Sequence, residues 1–131
     1  MTLSLRSRWN EKRHNRRVVN ELTVGIAVLS GRIGFPPRRP QFQGIARGAS
    51  MSGLQIQAEQ VIPVGAVVKL WINMGAYAER MTLKLRGDVV WSEADAASGL
   101  FWAGIRLHDR PKESITIWTK YIAERIRSLE L

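Results

Sequence analysis

The 131-residue sequence predicts an all-β fold: a small six-stranded β-barrel with a C-terminal amphipathic α-helix. Three observations carry that expectation. Six short stretches alternate apolar and polar residues with the period of a half-buried strand. Gly, Pro and Ser punctuate the gaps between them. From about residue 113 the period changes to three and four, the signature of a helix with one apolar face. At 14.8 kDa the chain fits one domain with a proper core, and it lacks a run of about 18 apolar residues that could span a bilayer.

Residues 1–17 are expected to form a flexible basic leader, and residues 18–131 a single domain. Residues 1–10 have no period, and the run that holds Lys12, Arg13, Arg16 and Arg17 is too short and self-repelling to keep a helix unaided. Alternation begins at Leu22 and continues through Val24, Ile26 and Val28. Residues 30–41 interrupt it with Gly31, Gly34 and three prolines, and add Arg32, Arg38 and Arg39. A connection of that length is either functional or disordered, and both readings stay open.

Residues 42–49 read as a second strand and 54–58 as a third, with Leu54, Ile56 and Ala58 inward and Gln55 and Gln57 outward. Between them lies the turn Ser50-Met51-Ser52-Gly53, where Gly53 can take a positive φ at no steric cost. Pro63-Val64-Gly65 makes the next turn, and Val68, Leu70, Ile72 and Met74 alternate after it. A longer strand spans residues 81–91, with Leu83, Leu85, Val89 and Trp91 in one parity. Residues 94–99 form a turn of small residues, and Phe101, Ala103, Ile105 and Leu107 supply the sixth strand. Ile115, Trp118, Ile122, Ile126 and Leu129 then make the apolar stripe of the helix. Trp71 and Trp102 share parity with polar neighbours, so two large aromatics face outward unless the helix covers one of them.

Composition narrows the function. Net charge is +9, and residues 1–50 hold 10 Lys/Arg against 2 acids while residues 51–131 hold 10 against 9. A basic half beside a nearly neutral one points to a polyanionic partner. Without cysteine there are no disulfides or thiolate metal sites. His14 and His108 stand in no nucleophile–base spacing, and neither an acid cluster nor a phosphate-binding loop ending in Lys-Ser/Thr is present. Neither catalysis nor a cofactor is expected. The basic N-terminus has no apolar stretch behind it, so a secretory signal is not expected and a cytoplasmic location is the default.

Candidate binding residues lie in two places. Arg13 and Arg17 form an Arg-x-x-x-Arg pair, with Lys12 and Arg16 as secondary cations. Each guanidinium is a planar fork that suits phosphate oxygens or the O6/N7 edge of guanine. At this arginine content the spacing alone says little, and it recurs at Arg106 and Arg110. The second place is Gly48-Ala49-Ser50-Met51-Ser52-Gly53, where the Ser50 hydroxyl and the N–H groups of the turn can hold phosphate or a base edge.

In that order the two motifs resemble the PilZ domain, a small bacterial signalling barrel that in many members binds cyclic di-GMP. The family pattern is Arg-x-x-x-Arg followed by Asp/Asn-x-Ser-x-x-Gly. Leu85 to Trp91 is similar to its Gly-x-Val-x-Trp strand, and Ala103 to Leu107 to its Gly-Ile/Val-Arg-Phe strand. The resemblance implies a cyclic di-GMP site built from Arg13, Arg17, Ser50 and Gly53, and a protein partner that receives the signal through ordering of the leader. It offers Trp91 as a base-stacking residue, whereas parity with Leu85 and Val89 offers a core or rim role. Gly48 departs from the pattern, because it stands where the acid would accept from guanine N1 and N2. Losing such a bond weakens recognition by about ten- to a hundredfold, unless a backbone carbonyl or a water replaces it. Two further classes stay open: a PilZ domain that has lost its nucleotide and acts as an interaction adaptor, and a basic barrel for single-stranded nucleic acid.

Overall fold

The computed structural model describes residues 4–5, 22–29, 37–75 and 81–129. The alternating stretches become β1 (Leu22–Leu29), β2 (Phe42–Ala49), β3 (Gly53–Ala58), β4 (Val67–Asn73), β5 (Thr82–Asp95) and β6 (Leu100–Leu107). The helix α1 spans Lys112–Leu129. Every strand pair is antiparallel, and the order β1-β2-β3-β6-β5-β4 closes on itself through β1 and β4. Among the described residues, closure pairs every strand on both of its edges.

Inward residues fill the barrel. Val24, Ile26, Leu54, Ile56, Leu70 and Ile105 are all fully buried within one continuous core. Helix α1 completes that core with Trp118, Tyr121 and Ile122. The rings of Trp118 and Tyr121 sit 5.7 Å apart, tilted by 38°, within the spacing at which aromatic pairs attract.

Two local details differ from what the sequence suggests. Left-handed glycines occur at Gly65 and Gly99, with φ of 86° and 73°, but Gly53 instead opens β3 and pairs with Arg106. The turn before it is closed by a bond from the Ser50 N–H to the Gly53 carbonyl, 2.9 Å. Strand β5 also runs four residues past Trp91, to Asp95.

Two irregularities matter more. The pairing of β2 with β3 jumps from Ala46↔Ile56 to Gly48↔Gln55, leaving Arg47 as the extra residue. The pairing of β5 with β6 jumps from Val89↔Ile105 to Trp91↔Gly104, leaving Val90 as the extra one. Each bulge reverses the facing of everything beyond it on its strand. Because Ile105 faces the core, Gly104 faces outward, and so does Trp91 opposite it.

Candidate functional site

The bulges bring four residues into line on the outer face. Gly48 pairs with Gln55, Gln55 with Gly104, and Gly104 with Trp91, so the row crosses β2, β3, β6 and β5. The parity reading of Trp91 as a core residue is thereby corrected: alternation holds only until an extra residue enters the strand. A Cβ on Gly104 would collide with the Trp91 indole. The glycine therefore leaves the space that the ring occupies. Although they face outward, Gln55 is 1% exposed and Trp91 5% exposed.

At one end of the row stands the turn before β3. Ser50 is fully buried. Its hydroxyl accepts from the Ser52 N–H at 3.3 Å, and its carbonyl accepts from the Trp118 indole at 2.9 Å. Ser52 in turn accepts from the Leu107 N–H at 2.9 Å. The Ser-x-x-Gly turn is thus tied to both β6 and α1, with Met51 left exposed at its tip.

Beside the row lies a polar network that sequence reading missed. Arg47, the bulge residue, donates through Nε to Gln57 Oε1 at 3.1 Å. Gln57 is the next outward residue of β3 and pairs with Trp102, which pairs with Glu93. The Trp102 indole donates to Asp95 at 3.1 Å. That bond, with further bonds from Ser98 and Ala97, holds the Asp95 carboxyl below the usual carboxylate range. Trp102 faces outward as expected but is nearly covered. Only the distance between residues 95 and 102 hid this pairing from the sequence.

The opposite side of the barrel is different. A cleft of about 460 Å³ is lined by Thr23, Gly25, Pro40, Gln43, Trp71, Asn73 and Thr82. Lys69 Nζ lies 4.9 Å from the centre of the Trp71 ring, a cation–π contact that caps the outward aromatic. Partial burial, then the charges of Lys84 and Arg86, push the Lys69 ammonium below its ordinary value. Of the 30–41 connection, residues 37–41 are described and are fixed to the barrel: Val28 N–H donates to Gln41 Oε1 at 2.8 Å, and Lys69 reaches the Pro37 carbonyl at 3.4 Å.

Of the expected binding residues, Ser50 and Gly53 lie in the turn at the end of the row and Trp91 lies in the row itself. Lys12, Arg13, Arg16 and Arg17, with the rest of the leader, lie outside the described residues. The decoy partner Arg106 is on β6, 3.9 Å from Asp88, which His108 also contacts at 2.9 Å. No helix among the described residues is long and apolar enough to cross a membrane.

Comparison with known proteins bears on this geometry. The PilZ domain family model matches residues 11–124. No curated protein sequence matches. Among solved structures, the chain resembles the Bacillus subtilis inhibitor of motility, MotI/DgrA, with a TM-score of 0.67 at 13% identity. That likeness covers 89% of this chain and 52% of the other, so the chain spans about half the length of that protein. At such identity the likeness speaks for the barrel and its helix alone. The family model covers both motifs and the strands that hold the row, and the chain belongs to the PilZ domain family.

Proposed function

We propose that this chain is a cyclic di-GMP receptor and adaptor, acting by binding and not by catalysis, that passes the signal to a partner protein. The supporting observation is the outward row Gly48–Gln55–Gly104–Trp91, which two bulges aim at one place beside the Ser50–Gly53 turn. An aromatic face beside a polar edge suits a base, because stacking supplies affinity and edge hydrogen bonds supply identity. Arg13 and Arg17 supply the positive charge for the phosphates and the guanine edge, with Lys12 and Arg16 adding to it. Ser50 and Gly53 form the turn on the other side, and Trp91 stacks.

The near-complete burial of Gln55 and Trp91 gives the switch its physical form. A ligand reaches these residues only if the chain around them opens, so binding and rearrangement are one event. Ordering of the basic leader on the ligand then changes what a partner meets. The turn's bond to Trp118 gives α1 a share in that change.

A second reading is favoured by Gly48 and by the same burial: a PilZ domain whose face is closed and which acts as a protein-interaction adaptor. Calorimetric titration with cyclic di-GMP separates the two. Arg13→Ala and Arg17→Ala are each expected to cost about 1.5–3 kcal/mol, the range for hydrogen bonds to charged groups. Arg106→Ala, already beside Asp88, is expected to cost little. Equal losses from all three would mean that bulk positive charge binds the ligand, and no heat at all would favour the adaptor.

A further inference from the structure

We infer that Gln55 reads the base in the acid's place, and that the site therefore takes purine cyclic dinucleotides with weak discrimination between guanine and adenine. The inference rests on the receptor reading above and sharpens its ligand class. Its starting point is the space beside Gly48. A Cβ built there would have the Gln55 Cδ and Nε2 at 3.8 Å and the Gln55 Cβ at 3.9 Å as its nearest neighbours. The amide of Gln55 thus lies against the position from which a side chain at 48 would project. It reaches that position from the adjacent strand, as the direct cross-strand partner.

The rest of the row narrows the role to this residue. Gly48 and Gly104 have no side chains, and Trp91 lies over Gly104, so Gln55 is the polar side chain that can read an edge next to the ring.

The chemistry then departs from that of a carboxylate. An ionised carboxylate only accepts, which suits guanine N1–H and N2–H and offers nothing to the ring nitrogens of adenine. An amide carries an acceptor and a donor side by side. It can accept from guanine N1–H while donating to O6, or accept from adenine N6–H while donating to a ring nitrogen. Rotating the amide by half a turn exchanges the two patterns. A site that reads purines this way separates them poorly.

The test is calorimetric titration of cyclic di-GMP and cyclic di-AMP into the full chain and into Gln55→Glu, Gln55→Leu and Arg17→Ala, with thermal unfolding of each variant as the check on folding. Wild type is expected to bind both ligands within about tenfold of each other, a difference of about 1.4 kcal/mol. Gln55→Glu keeps the shape but only accepts, so cyclic di-GMP binding is expected to persist while cyclic di-AMP weakens by about tenfold or more. Gln55→Leu should weaken both. A wild type that prefers guanine by a hundredfold, or a Gln55→Glu profile identical to wild type while Arg17→Ala loses binding, overturns the role of Gln55 and leaves the receptor reading standing. A wild type that binds neither dinucleotide overturns both.

Discussion

Trp91 and Gly104 are the clearest case of one residue fixing the place of another. The indole covers the space a Cβ would need, so Gly104→Ala is expected to displace the ring and cost about 1–3 kcal/mol, as overpacking does. In a Trp91→Ala background the same change should cost little, since the three atoms nearest that Cβ all belong to the indole. A double-mutant cycle by urea unfolding measures the difference. Additive costs would mean that the glycine serves its backbone and not the ring. At this scale the residue types were legible but their facing was not. Parity alone places Trp91 with the core residues Leu85 and Val89, because it runs straight through Val90, and the bulge there has no local signature. Gln55 was correctly read as outward, yet its weight depends on lying opposite Gly48, a fact of register that only the folded pairing supplies.

Among elements, the strands and the helix were legible because burial imposes its period on the sequence. Periods of two and of three to four are direct readings of which face meets the core. What joins elements was not legible. The bond from the Trp118 indole to the Ser50 carbonyl ties α1 to the turn across 68 residues, and Trp118 read only as one more member of an apolar stripe. Trp118→Phe keeps much of the packing and removes the donor. It leaves a buried carbonyl without its partner, at an expected cost of about 1–3 kcal/mol. Hydrogen exchange is the sharper readout: amides of residues 50–53 should lose more protection than the strands of the opposite side. A uniform loss across the barrel would assign Trp118 a packing role alone.

For the whole molecule, the two sides of the barrel carry different chemistry. β2, β3, β6 and β5 present the row and the turn, whereas β1 and β4 present the cleft over Trp71 with Lys69 beside it. Composition revealed the charge surplus of residues 1–50 but could not say which side a polyanion would meet, because sidedness arises only on closure. The proposed ligand site lies on the first side. Two-dimensional NMR of the labelled chain, titrated with cyclic di-GMP, tests this most directly, since each tryptophan indole N–H reports its own surroundings. The expected result is shifts at Gly48, Gln55, Gly104 and the Trp91 indole, with a smaller one at Trp118 and none at Trp71. Shifts gathered at Trp71 and its cleft, or none at saturating nucleotide, would contradict it.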